Sequence, residues 1–305
     1  MEAQTAASEK LQTRYIRLMQ YKALPCLLQH CQAQPWHLLR PRVDMDLERW
    51  AETWADQLSS LHEFSSHGYY GLDVQDLDAD SQRAARAGWC RAALQSLALL
   101  DLAYSRGLPP RAMESLFEHV LHWCNEYAVF MRSDAAAPAQ ARQPINPASN
   151  SYPAAVQLLA LPVLLERQEL IPGIVERLLG NRCDCLLDYL SAVACEKDEA
   201  SAQVFCPKPY ADLSAFFEQS ELGTEPLQAY LDENYSSQLH PALAAIGRLI
   251  GMGEHHPRWA WEVAALVVLY ELDDSPLTAY SSYPADMVAL ARQRLAFNEA
   301  SFAAH

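Results

Sequence analysis

The chain has 305 residues, half of them hydrophobic, with 10 Gly beside 18 Pro and a formal net charge of −15 from 23 Lys+Arg against 38 Asp+Glu. A chain of this length buries roughly 75% of its extended surface, so it needs no metal or disulfide staple to fold. The acidic balance argues against nucleic acid or an anionic membrane as a direct ligand over most of the surface, and for a basic partner.

Helical periodicity runs through nearly the whole sequence. The spacing predicts a first helix over about 8–24, stopping near Pro25. A second opens at Asp44 or Asp46, either a good N-cap, and buries Leu47, Trp50, Trp54, Leu58 and Leu61. A Gly-Tyr-Tyr-Gly turn and an acidic stretch lead to a third helix, about 81–105, with Trp89, Ala93, Leu97, Leu100 and Tyr104 on one face. In the fourth, about 111–131, Met113, Leu116, Val120, Trp123, Tyr127 and Phe130 repeat at alternating three and four. Residues 133–150 are rich in Pro, Ala and Ser and lack periodicity, which reads as a linker or exposed loop. Further helices are expected at about 154–169 (bent near Pro162), 172–179, 183–195, 209–220, 225–236, 240–251, 256–272 and 284–297. The expected fold is all-α: an antiparallel helical bundle or helical-hairpin array of two packed subdomains, 1–132 and 153–305, joined by 133–152. Charge divides along the same line, with a net −3 over residues 1–152 and −12 over 153–305.

The N-terminal residues Met1–Lys10 lack the pattern of a signal peptide, and no apolar run approaches membrane-spanning length. The eight cysteines form no CxxC and read as reduced, so a cytoplasmic protein is expected.

Searches for catalytic and metal motifs fail on spacing. His62-Glu63 with His67 sets the imidazoles five apart instead of four. Asp76, Asp78 and Asp80 start like a calcium loop, but Ser81 stands where Gly is needed and Ala87 where Glu is needed. They read instead as an acidic loop capping the third helix. Glu114, Glu118, His122 and Glu126, with His119 nearby, form a ladder that reads as a solvated face opposite an apolar stripe. No catalytic residue, metal or cofactor is expected.

One segment stands apart. It runs from His255 through Trp259, Trp261 and Glu262 to Tyr270, Glu271, Asp273, Asp274 and Ser275. Pro257 suits a first helical turn. Glu262 lies inside an apolar helix, where an unpaired carboxylate would cost several kcal/mol, so it needs a partner: Arg258, an arginine from another helix, backbone, or tyrosine hydroxyls. Asp273 and Asp274 oppose the helix dipole and imply either a cap from elsewhere or a partner.

These residues resemble the PoNi family, immunity proteins for polymorphic nuclease toxins. The family's aromatic-x-x-Glu helix, Asp-Asp-Ser turn and Tyr-Tyr-Pro-x-Asp-Leu segment are matched by Trp259, Glu262, Asp273, Asp274, Ser275, Tyr283, Pro284 and Asp286. Tyr230, Leu231 and Tyr235 match an upstream Tyr-Leu-x-x-Trp-Tyr segment. Asn234, Ser282 and Met287 depart from it, and the match covers about 225–290. The resemblance implies a non-enzymatic protein that binds a cognate antibacterial nuclease toxin, delivered by type VI secretion, and occludes its nucleic-acid-binding or catalytic surface. Trp259, Glu262, Ser275, Tyr283, Pro284 and Asp286 look structural. The acidic contact candidates are Asp73, Asp76, Asp78, Glu218, Glu221, Glu225, Asp232, Glu233, Glu271, Asp273 and Asp274. A helical metallohydrolase using His119 and His122, and a helical adaptor with an unrelated partner, are the alternatives.

Overall fold

Four helices build the first half around a stack of aromatic rings: α1 (Ala23–Ala33), α2 (Leu47–His67), α3 (Ala79–Ser105) and α4 (Pro110–Ser133). The structure is a computed structural model that describes residues 22–67, 69–72, 74–133, 142–147, 151–180, 184–195, 200–219, 221–235, 247–252 and 259–303. Successive helices pack on one another, and α1 packs on both α2 and α4 to close a bundle. At its centre Trp89 stacks on Trp123 (4.9 Å, 15°) and on Phe130 (4.6 Å, 12°), with Phe64 edge-on to Trp89 at 5.6 Å. Such offset pairs add about 0.5–1.5 kcal/mol each beyond their buried area.

The second half is built on α5 (Tyr152–Leu164), in which every residue is buried. A helix apolar on all sides must be enclosed on all sides. It packs against α3 and against three later helices: α7 (Cys185–Ser191), α9 (Trp261–Leu269) and α10 (Ala285–Ala303). Between them lie α6 (Ile171–Ile174), continued by a π turn over Val175–Leu179, and α8 (Glu225–Tyr235). Gly180, at φ 69°, closes that turn in a conformation that favours glycine. One hydrophobic core runs through both halves. Among the described residues every regular element is helical. Within the stretch 133–152, Ile145 is fully buried and its N–H donates to the Leu178 carbonyl at 3.1 Å.

Several elements differ from expectation. Pro25 does not stop a helix; it occupies the first turn of α1, where its missing N–H costs nothing. The expected helix over 8–24 lies outside the described residues except for its last turn. The helix expected over 209–220 is broken into Pro207–Tyr210, a 3-10 turn Ala211–Leu213, and Ser214–Phe217. Lys208 is extended (φ −116°, ψ 122°), as the residue before a proline prefers. The helix expected from 256 begins at Trp261, because Ala260 is non-helical (φ −79°, ψ 64°) and its N–H donates to the Ser282 carbonyl. Pro257 and Arg258 lie outside the described residues.

The acidic ladder on α4 is solvated only in part: His122 is exposed, but the carboxylates are engaged. Glu114 and Glu118 pair with Arg167, and Glu126 caps α1 across the bundle. Its Oε1 accepts from the N–H groups of Lys22 (2.7 Å) and Ala23 (2.9 Å), and its Oε2 from the Tyr70 hydroxyl at 3.0 Å. Asp46 and Asp78 cap α2 and α3 through their own side chains. Replacing Glu126 by Ala should cost about 1–2 kcal/mol, the scale of a lost cap and a lost hydrogen bond from Tyr70. The urea midpoint should fall with the slope unchanged, and Glu126→Gln, which keeps an acceptor, should recover part of the loss.

Candidate functional site

The residues singled out around Trp259–Asp286 converge on the seam between the two halves. The non-helical Ala260 separates two indoles that both reach α3. Trp259 Nε1 donates to Ser105 Oγ at 2.8 Å, and Trp261 Nε1 donates to Asp101 Oδ1 at 2.7 Å. Gln157 of α5 donates to the same Asp101 oxygen at 3.0 Å. One residue on, Glu262 Oε1 accepts from the hydroxyls of Tyr230 (2.9 Å) and Tyr235 (2.8 Å), both supplied by α8. The tyrosine option for Glu262 is therefore the one realised. Asn234, where the family pattern has Trp, bonds back to the Tyr230 carbonyl at 3.0 Å.

Asp101 and Glu262 face the same cavity of about 30 Å³, which Gln157, Tyr210, Tyr235 and Trp261 also line. It has room for one or two waters. Burial pushes the Asp101 carboxyl up to about 8, against the Trp261 N–H that lowers it and with the nearby Glu262 charge that raises it. Burial also raises Glu262, against its own backbone N–H and the two tyrosine hydroxyls.

The rest of the motif clamps the chain on either side. Asp273 caps the turn Ser275–Leu277 through the Ser275 N–H (3.1 Å) and hydroxyl (2.5 Å). Asp274 accepts from the Tyr283 hydroxyl at 3.0 Å and from Arg292 at 2.5 Å. Arg292 also donates to the Leu272 carbonyl in the turn after α9, and so supplies from elsewhere the positive charge that the two aspartates require. Pro284 opens α10, with its carbonyl accepting from Met287 at 3.0 Å. Asp286 takes two hydrogen bonds from Arg42, at 2.9 and 2.6 Å, and one from the Tyr104 hydroxyl. The Arg42 guanidinium also lies 4.0 Å from the Tyr104 ring centroid.

The acidic candidates do not form one patch with this network. Asp73 lies outside the described residues. Asp76 and Asp78 are exposed beside the start of α3. Asp232 accepts from Tyr280 at 2.9 Å, and Glu233 lies 3.7 Å from Lys208. Glu271 is exposed with φ 52°. Glu218, Glu221 and Glu225 are exposed along the connection that leads into the first turn of α8, and no cation of the described residues pairs with them. Leu222 sits among them, 38% exposed, while Gln219 Oε1 holds the Gly223 N–H at 3.0 Å. His, Cys, Asp and Glu side chains of the described residues form no group of three or more that could hold a metal ion.

Sequence reasoning missed Asp101, Gln157, Arg42 and Arg292. Asp101 had a signal: it is the lone carboxylate of the apolar run from Ala92 to Tyr104. The others are polar residues whose partners are far off in the chain.

Two family models match the chain. The N-terminal domain of PoNe immunity proteins (PoNi) matches residues 43–174, and the C-terminal domain matches residues 182–287. The chain belongs to the PoNi family. The family match therefore extends through the N-terminal half, well beyond the segment 225–290 that carried the resemblance. A solved structure, protein PA2201 from Pseudomonas aeruginosa, is 31% identical with a TM-score of 0.72, over 90% of this chain and 96% of that one. No curated protein matches. In this PoNi chain the family's motif residues meet one another and the N-terminal half through hydrogen bonds, which explains their residue types.

Raised carboxyls bind protons in the folded state that the unfolded chain releases, so stability should fall as pH rises. The contribution of Asp101 is full below about 4 and is lost as pH rises through about 8, an effect on the order of a few kcal/mol. Urea unfolding between pH 5 and 9 should show this decline, and Asp101→Asn should flatten it. Tyr235→Phe should cost about 1–2 kcal/mol at any of these pH values by leaving Glu262 one donor short.

Proposed function

We propose that this chain is an immunity protein that binds a cognate antibacterial nuclease toxin, delivered by type VI secretion, and neutralises it in the cytoplasm. It acts by contact and not by catalysis, occluding the toxin's nucleic-acid-binding or catalytic surface. Membership of the PoNi family carries this reading. The charge distribution supports it. A nuclease holds phosphates on a basic surface, and an acidic partner reaches such a surface by fast, electrostatically steered association.

The loop 218–225 is the contact we favour. Its three glutamates are not consumed by internal ion pairs among the described residues, and Leu222 offers an apolar centre within an acidic rim. Interfaces with an apolar centre and a charged rim follow this arrangement. Asp274 is a weaker candidate, because removing it would strand Tyr283 and Arg292. The metallohydrolase alternative finds no ligand set among the described residues. No described helix is long and apolar enough to cross a membrane.

The test is rescue of cells expressing the toxin encoded beside this gene, with association rates measured on the purified pair. Reversing Glu218, Glu221 and Glu225 to Lys should slow association by about tenfold and flatten its dependence on salt. Unchanged rates would remove the loop from the interface, and failure of the unaltered chain to bind or rescue would sink the reading itself.

A further inference from the structure

A groove of about 450 Å³ opens on the far side of α4, between the start of that helix, the turn after α5, and α10. Its chemistry is the reverse of the acidic loop. Arg167 and Arg294 line it, drawn together by Glu114, which accepts from Arg167 at 3.2 Å on one oxygen and from Arg294 at 2.7 Å on the other. Arg294 is further fixed by the Leu165 carbonyl at 2.6 Å. Arg111, one turn before Glu114, is exposed on the rim and has no hydrogen-bond or ion-pair partner among the described residues. Phe297, one turn beyond Arg294, is 72% exposed at the other edge.

At the turn after α5, Glu166 stands at φ 58°, a left-handed conformation that a glutamate adopts at a cost of about 1–3 kcal/mol. Its Oε1 is sealed from solvent, so a docking partner does not reach it. The groove surface therefore offers a free guanidinium that takes an anion, beside an exposed aromatic ring. A stretch of polypeptide carrying an Asp or Glu beside an apolar side chain meets both. Its carboxylate reaches Arg111, and its apolar group covers Phe297.

We propose that this groove is a second docking surface, which receives a carboxylate-bearing apolar segment of the toxin; it rests on the reading of the chain as an immunity protein. A pair of sites of opposite sign also sets orientation. The acidic loop draws a basic toxin in, and the arginine groove accepts only the place where that toxin is locally acidic.

The sign of one substitution separates this from general attraction. Arg111→Glu makes the chain more negative by two charges, which by itself favours binding to a basic toxin. Docking in the groove requires the opposite. Affinity for the toxin encoded beside this gene should fall about tenfold or more with Arg111→Glu and also with Phe297→Ala. Arg83→Glu, on the exposed surface of α3, should leave affinity unchanged or raise it. Melting temperatures near that of the unaltered chain would show that the variants fold; Arg111 has no described partner to lose, so it provides the safer arm. The groove is overturned if the toxin binds the unaltered chain and Arg111→Glu equally well. It is also overturned if a DNA duplex binds the unaltered chain and loses affinity with Arg111→Glu, since the guanidinium would then serve phosphates. If the unaltered chain binds no toxin, the immunity reading and this site fall together.

Discussion

The seam of this protein is organised by two buried carboxylates that must be satisfied by hydrogen bonds. Asp101 and Glu262 lie on different helices and face one small cavity. A buried carboxylate is tolerated only if its oxygens are served, and here the donors are indoles, a carboxamide and phenols. They come from α5, α8 and α9, so α5 and α9 cannot shift against α3, nor α8 against α9, without stranding an acid. Hydrophobic packing drives the halves together, but it tolerates sliding. The carboxylates fix the register.

That constraint divides the net charge of −15 into parts with different work. Asp101, Glu262 and Asp274 hold the fold, Asp46, Asp78 and Glu126 end helices, and Glu114 with Glu118 organises arginines. Only a remainder, the loop 218–225 foremost, is left on the surface for a partner. An acidic composition therefore overstates the field that a basic partner meets. The arginines follow the same logic. Several are spent on internal carboxylates or carbonyls, which makes Arg111 conspicuous.

Periodicity made much of the fold legible. The α4 stripe is regular because one face of a long helix meets α1 and α3, and Met113, Leu116, Val120, Trp123, Tyr127 and Phe130 are all buried as its spacing requires. Glu262 was legible as a carboxylate needing a partner because its neighbours are apolar throughout, and tyrosine was among the partners weighed. Pro25 misled because a proline looks the same in sequence whether it ends one helix or opens the next. Glu126 misled because its ladder spacing is that of a solvated face, and only the tertiary fold brings the start of α1 beside it. Arg42 was illegible because its partner, Asp286, is 244 residues away. Contacts of that span leave no local pattern.

The Arg42–Asp286 pair has a further meaning as a fastener. It ties the segment before α2 to the opening of the last helix, so most of the chain lies within a ring closed without a covalent bond. The fastener is held by two hydrogen bonds from Arg42 and one from the Tyr104 hydroxyl, so the opening of the last helix is tied to both the segment before α2 and α3. A guard kept in readiness against a lethal enzyme is judged by how long it stays folded as much as by how tightly it binds. Closing the chain on itself lengthens that lifetime where the last helix begins, by holding its first turn against the first half of the fold.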